Sequence, residues 1–330
     1  MDRRNFFKAS LAGSAALATG TASCPVQARE GHAISPDALG LLYDSTLCIG
    51  CKACVAACKE ANQMPPEFQA NTEQPYWDMP LDISGKTLTV IKVYRNGTMD
   101  KKDEELNGYA FVKKSCMHCV DPSCVSACPV TAMIKDPKTG VVSHNKDACI
   151  GCRYCVAACP FGVPRFTFDQ TFPQISKCQL CKHRWQEGKY SACAEVCPTG
   201  ATLYGKVSDL KQEAARRRGL KPGTQTSFPR GELGGADQSY PGVVSKYIDH
   251  LYGEKEFGGT QMVMLSGVPF DKLGYQDLPP RSDASTSETL QHTLYGGLVM
   301  PLVFLGALTY AAKRNVKNDE ADNDQGGNHG

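Results

Sequence analysis

A large charge excess of either sign is missing from this chain: 36 Lys and Arg stand against 34 Asp and Glu, a formal +2. Without a basic surplus there is no electrostatic footprint for nucleic acid, and without an acidic one no reason for the chain to stay unfolded. The marks of a self-contained enzyme are missing too. GEKEFGG at 253–259 has glycines without the spacing that cradles a phosphate, and no nucleophile elbow occurs. The 330 residues allow one large domain or two ordinary ones with tails.

Cysteine is what the chain has in plenty. Seventeen is too many for an enzyme with one reactive thiol, and an odd number cannot all pair. One of them, Cys24, falls in a segment that reads as an export signal. Residues 2–8, DRRNFFK, are charged; ASLAGSAALATGTAS is small and mildly apolar; Val26-Gln27-Ala28 resembles a cleavage site. The pair Arg3-Arg4 ahead of two phenylalanines resembles a twin-arginine signal, so 1–28 is expected to be removed. A lipoprotein signal would have Leu three residues before Cys24, where Thr21 stands.

At the other end, Leu294–Ala312 is nineteen residues without a charge. At 1.5 Å per residue that crosses a hydrocarbon core of roughly 30 Å. Lys313, Arg314 and Lys317 follow, whereas 282–293 contains no Lys or Arg. The positive-inside rule then places 313–330 in the cytoplasm and everything upstream outside, the same orientation that the export signal implies.

The sixteen remaining cysteines fall into four groups of four: Cys48, Cys51, Cys54, Cys58; Cys116, Cys119, Cys124, Cys128; Cys149, Cys152, Cys155, Cys159; and Cys178, Cys181, Cys193, Cys197. Groups one and three have the C-x2-C-x2-C-x3-C spacing of a [4Fe–4S] ferredoxin loop. Three thiolates two residues apart wrap three corners of a cube, and the fourth reaches a different cluster. The fourth cysteine is expected to begin a helix, with the prolines Pro129, Pro160 and Pro198 in its first turn and Lys59 as the exception. Small neighbours such as Gly50, Ala53, Ala57, Gly151 and Ala158 let backbone N–H groups approach the sulfurs. Zinc would accept groups two and four in isolation but has no use for the x2-x2 loops.

CIGCKACVAAC at 48–58 and CIGCRYCVAAC at 149–159 share nine of eleven residues, so the chain repeats a module. AMIKDPKTGVVSH, between groups two and three, reads as a strand, a turn and a strand joining those groups into one module. Groups one and four are left for a second, wrapped around the first. SDLKQEAARRRG at 208–219 reads as a helix capped by Ser208 and stopped by Gly219, its arginines matching the helix dipole or touching a partner. Lys52, Arg153 and Lys182 are candidates to offset cluster charge or are surface cations. His118 and His183 read as packed or solvated.

With these motifs the chain resembles the four-cluster electron-transfer subunits of membrane oxidoreductases over about residues 40–315. That family includes the beta subunits of formate dehydrogenase and dimethyl-sulfoxide reductase. The joint presence of signal and tail anchor is most similar to the HybA-type ferredoxin-like subunit of type-two [NiFe] hydrogenase, as are HLYGEKEFGGTQMVMLSGVPF and QHTLYGGLVMPL.

The resemblance implies an α+β fold of two interleaved bacterial-ferredoxin-like 2[4Fe–4S] modules with insertions, plus a single C-terminal transmembrane helix. Its domains would be the signal 1–28, the first half of the outer module 29–115, the inner module 116–165, the second half of the outer module 166–205, a partner-docking extension 206–290, the membrane helix 294–312 and the tail 313–330. Four [4Fe–4S] clusters would be held by Cys48, Cys51, Cys54 and Cys197; by Cys178, Cys181, Cys193 and Cys58; by Cys116, Cys119, Cys124 and Cys159; and by Cys149, Cys152, Cys155 and Cys128.

The implied partners are the small and large subunits of a [NiFe] hydrogenase, an integral-membrane quinone-reactive subunit and the twin-arginine translocation machinery. The implied place is the periplasmic side of the inner membrane. No residue would be catalytic. A beta subunit of formate dehydrogenase or of another molybdenum oxidoreductase is the alternative, and a zinc-binding structural protein the rival of another class.

Overall fold

The computed structural model describes residues 29–67, 79–235 and 238–326. The expected signal, with Arg3, Arg4 and Cys24, lies outside the described residues, as does the end of the tail. The chain divides into a unit spanning 30–285, which holds all sixteen grouped cysteines, and a second made of the two termini.

In the first unit the chain runs through β1 (Leu39–Asp44), α1 (Ala53–Ala61), β2 (Val90–Arg95), β3 (Lys101–Lys102) and β4 (Gly108–Lys114). Then come α2 (Ser123–Ser126), β5 (Met133–Lys135), β6 (Val142–His144), α3 (Tyr154–Ala157), β7 (Arg165–Phe166), β8 (Ile175–Ser176) and α4 (Ala192–Glu195). It continues with β9 (Thr202–Lys206), α5 (Val207–Gly219), β10 (Gln225–Pro229), β11 (Gly231–Glu232), β12 (Ser239–Val243) and β13 (Met262–Leu265); α6 (Asp283–Gly326) begins at the unit's end.

The central sheet has the order β11-β9-β1-β13, with β9 antiparallel and β13 parallel to β1. Strand β1, LGLLYD, is buried on both faces, and successive side chains point to opposite sides. Leu42 faces Leu203, Leu210, Ala214 and Val263, the core under α5. Leu41 and Tyr43 face the other way, into a core that includes Cys48, Cys54, Cys193 and Cys197. The sheet therefore stands between a conventional helix-packed core and a thiol-rich one. Strand β13 comes from the C-terminal extension, which thus contributes to the central sheet.

The stretch 132–144 forms the expected hairpin, Met133 opposite His144. Helix α2 packs on α3, and α1 on α4. The two pairs have equivalent strands. In one, β5 leaves group two and pairs antiparallel with β6, which enters group three. In the other, β9 leaves group four and pairs antiparallel with β1, which enters group one.

The fourth cysteines do not begin helices; they end them. Cys128, Cys159 and Cys197 each lie two residues past a four-residue helix, and the proline that follows has no N–H with which to continue it. After Cys58 stands Lys59, and α1 runs on to Ala61. Helix α5 starts at Val207, with Lys206 at its cap, so Ser208 lies within the first turn, its hydroxyl on Asp209 at 2.9 Å.

Residues 294–312 lie inside α6, which bends no rule by containing Pro301, since membrane helices tolerate proline. Its stretch Asp283–Arg314 is long and apolar enough to cross a membrane, and its apolar window is unburied, with Leu298, Leu302, Val303 and Leu305 exposed.

Candidate iron–sulfur centres

Each cysteine loop is shaped by left-handed backbone. In the two CIGC loops Gly50 and Gly151 have φ of 69° and 73°, and Lys52 and Arg153 follow at 58° and 64°. A single left-handed non-glycine residue costs roughly 1–2 kcal/mol, so the same pair of inversions in both loops marks a shared, imposed geometry. His118 in group two and Leu180 and Cys181 in group four are inverted likewise. The turns aim N–H groups at sulfur: Gly50 donates to Cys48 Sγ at 3.5 Å, Leu180 to Cys178 Sγ at 3.4 Å and Ala132 to Cys128 Sγ at 3.2 Å. Of the small residues expected to open such approaches, Gly50 does so; Leu180 and Ala132 were not foreseen.

Cys48, Cys51, Cys54 and Cys197 line one pocket, with space between atoms of about 320 Å³, part of it open to solvent. Cys58, Cys178, Cys181 and Cys193 line a second, of about 390 Å³, together with Leu41, Leu180 and Lys113. The other eight sort by proximity. Burial raises the Cys119 thiol far above its ordinary range, and the like charges adding to that are Cys124, Cys159 and Cys116. Burial lifts Cys155 to about 11, with Cys149, Cys128 and Cys152 as its neighbouring charges. Every group of four consecutive cysteines thus parts with its last member, which joins three from another group.

The sets also adjoin one another. Burial pushes the Cys54 thiol up to about 12, with Cys193 of the second pocket among the charges it meets. Cys178, likewise about 12 through burial, next meets Cys116. Cys124, about 12 for the same reason, meets Cys155. By these neighbouring charges the order is Cys48 set, Cys178 set, Cys116 set, Cys149 set.

These residues suit iron–sulfur cubes. All sixteen are free thiols rather than disulfides. Among the described residues no three His, Cys, Asp or Glu side chains close on a point where one metal ion would sit. Zn–S bonds of about 2.3 Å would draw four sulfurs to within roughly 4 Å of one another. Sulfurs grouped without converging on one point, all but Cys51 and Cys152 buried or half-buried, and some with N–H groups aimed at them, fit a larger body that carries the positive charge their ionisation needs.

Of the cations singled out from sequence, Lys52 lines the pocket of Cys48, Cys51, Cys54 and Cys197, whereas Arg153 and Lys182 point to the surface. Arg153 is exposed and stacks 4.7 Å from the Phe168 ring, Lys182 is exposed, and Lys52 bonds the Met79 carbonyl. Three lysines not singled out from sequence also stand near thiols: Lys113 and Lys177 are fully buried, and Lys135 partly so. Lys177 Nζ lies 3.7 Å from Cys116 Sγ. Their signal in the sequence is slight: Lys113 sits in an apolar strand and Lys177 directly precedes Cys178. His118 is packed, as expected; its Nδ1 accepts the Val142 N–H at 3.1 Å and burial holds its pKa well below the ordinary value. His183 is exposed, its Nε2 2.8 Å from the Ala61 carbonyl.

The arginines of α5 stand in its last turn, where they match the dipole, and they also pair within the chain. Arg217 is fully buried, bonding Asp44 at 2.9 Å and Glu213 at 2.8 Å; Arg216 also holds Glu213, and Arg218 reaches Asp249. Asp44 ends β1, so this pair pins the helix to the sheet from which the first cysteine loop springs.

Fold and thiol pockets together define an iron–sulfur protein of the ferredoxin-like class, and residues 108–207 match the 4Fe-4S dicluster domain family. The chain is 48% identical to the hydrogenase-2 operon protein HybA of Escherichia coli O157:H7, over 98% of each chain. It is 34% identical to the NrfC homolog of Haemophilus influenzae, covering 69% of this chain and 90% of that one. It is 30% identical to the iron-sulfur subunit of the nitrate-inducible formate dehydrogenase of Escherichia coli K12, over 92% and 95%. The chain belongs to the HybA family of iron–sulfur electron-transfer proteins.

Proposed function

We propose that the chain relays electrons from a hydrogen-oxidising [NiFe] hydrogenase to a quinone-reactive subunit in the membrane. It is not a catalyst itself. The observation that carries this is the run of four adjoining cysteine sets in a chain 48% identical to HybA. The formate dehydrogenase relative, at 30%, is more distant.

The four sets would be the ligands of four [4Fe–4S] clusters: Cys48, Cys51, Cys54, Cys197; Cys58, Cys178, Cys181, Cys193; Cys116, Cys119, Cys124, Cys159; and Cys128, Cys149, Cys152, Cys155. When bound, the clusters take up and give back one electron at a time. The work of the protein is then spacing, dryness and charge. The sheet face bearing Leu41 and Tyr43 walls off one side of the first two sets. N–H groups on Cys48, Cys128 and Cys178 favour the charged state of the sulfurs.

The packing of α1 on α4 and of α2 on α3 supports two interleaved modules, groups two and three inside groups one and four. In this reading 29–115 and 166–205 are the halves of the outer module, 116–165 is the inner one, and 206–290 adds a partner-docking extension. Residues 1–28 would be a twin-arginine signal read through Arg3 and Arg4. Helix residues 294–312 would anchor the rest on the periplasmic face, with 313–330 in the cytoplasm, as the basic residues after the span support. Export of a folded protein would let thiols leave already ligated, safe from oxidants.

The test is purification from membranes in mild detergent under anaerobic conditions. The expected result is co-purification with the small and large subunits of a hydrogenase and a membrane partner, about sixteen iron atoms per chain, and visible bleaching under hydrogen. Co-purification with a molybdenum enzyme that bleaches it under formate instead, or a colourless zinc-containing chain, would overturn the reading.

A further inference from the structure

A relay of four clusters needs more than adjacency, because each site must accept an electron into a cube already made anionic by four thiolates. A fixed positive charge close by stabilises the reduced form and raises the potential, most strongly where water is excluded. Two lysines meet that description.

Lys177 follows β8 and has an ammonium with three donors and three acceptors. The Val142 carbonyl takes one, the Cys178 carbonyl another at 2.8 Å, and Cys116 Sγ the third at 3.7 Å. Its charge thus lies against Cys116 and near Cys124, on the side where the Cys116 set adjoins Cys178. Lys113 is on β4, where the alternation of the strand turns it inward and turns Lys114 out to Asp82. It lines the pocket of Cys58, Cys178, Cys181 and Cys193, bonds Thr202 Oγ1 at 3.3 Å and lies beside Cys193 and Cys54. Its charge thus lies between the Cys178 and Cys48 sets.

All described bonds of both ammoniums go to neutral oxygens and to cysteine sulfur. Nearby lysines differ. Lys102 is paired with Asp103 at 2.6 Å, and Lys135, which stands beside Cys119, also has the Asp121 carboxylate in its surroundings. A buried lysine without a carboxylate is costly unless an anion stands elsewhere within reach. Thiolates are the anions on hand, and around the Cys155 thiol the neighbouring charges are all cysteines.

We propose that Lys113 and Lys177 are fixed counter-charges at the two inner junctions of the relay, each raising the potential of both clusters it stands between. This rests on the cysteine sets assigned above. The cluster of the Cys178 set lies between both lysines and is the most easily reduced of the four; the cluster of the Cys149 set has neither.

The test uses the full chain in its membrane complex, with Lys113→Met and Lys177→Met, iron counting and redox titration followed by electron paramagnetic resonance. Each variant keeps about sixteen iron atoms and moves two of the four midpoints downward by at least tenfold in the reduction equilibrium, 59 mV for one electron. One of the moved midpoints is common to both variants, and one midpoint stays put in both. Full iron with unmoved midpoints, or with all four moving together, overturns the proposal. Where a methionine variant loses iron, Lys→Gln, which keeps a donor toward the same carbonyls, replaces it. Loss of iron in both variants of one lysine makes it a residue that holds the fold and also overturns the proposal. Fewer than sixteen iron atoms in the unmutated chain would instead fault the cysteine sets.

Discussion

Gly50 and Gly151 occupy the same place in the two CIGC loops and take the same left-handed turn, yet their surroundings differ. A Cβ on Gly50 would come within 2.3 Å of the Phe111 ring, whereas one on Gly151 would meet nothing within 4 Å. Gly151→Ala should therefore cost only backbone strain, about 1–2 kcal/mol, and keep its iron. Gly50→Ala must also displace the Phe111 ring, which packs against the thiol-rich core. It is expected to lose about four of sixteen iron atoms, which iron analysis of the two purified variants checks; equal iron in both would show that Phe111 yields freely. The repeat made the two glycines equivalent on paper, and only the fold separates them, because Phe111 arrives from a strand sixty residues away. Arg217 was illegible for the same reason. Its partner Asp44 is 173 positions distant, and an arginine run on a short helix reads the same whether it faces water or the sheet.

At the scale of elements, the hairpin of 133–144 was legible because its turn chemistry is local. The direction of the short helices was not. Proline favours a first turn and also forbids continuation, so a C-x3-C-P segment fits a helix on either side of it. The structure resolves the choice: three one-turn helices lie between thiolates and stop at the proline. Lys59 is the natural counter-example, since α1 goes on for another turn and its Nζ ties Pro65 O at 3.0 Å and Lys86 O at 2.6 Å. Lys59→Pro should break that last turn and both ties, lowering stability by about 3 kcal/mol. The thermal midpoint of cluster bleaching and far-ultraviolet circular dichroism would show it. An unchanged midpoint would mean that the added turn does nothing for α1.

For the whole molecule, sixteen cysteines in four groups announced the chemistry, and the doubled motif announced a repeat. Spacing alone could not reveal which strand would lie beside β1. Strand β13 enters from the far end of the 30–285 unit, and nothing in MVML marks it as a neighbour of LGLLYD. The apolar helix, by contrast, was plain from composition, and its described window is unburied. Deleting 286–330 should leave 30–285 folded with about sixteen iron atoms, but shift it from the membrane to the soluble fraction. Fractionation with iron counting checks this, and a truncated chain that stays with the membrane would deny the helix its anchoring role. The sharing of Cys48, Cys51 and Cys54 with Cys197 also imposes a schedule. While the ribosome is still making the middle of the chain, the first pocket lacks its fourth wall, and three reduced thiols must wait. Metal can be seated there only once synthesis has passed Cys197, so the earliest-made pocket is among the last to be completed.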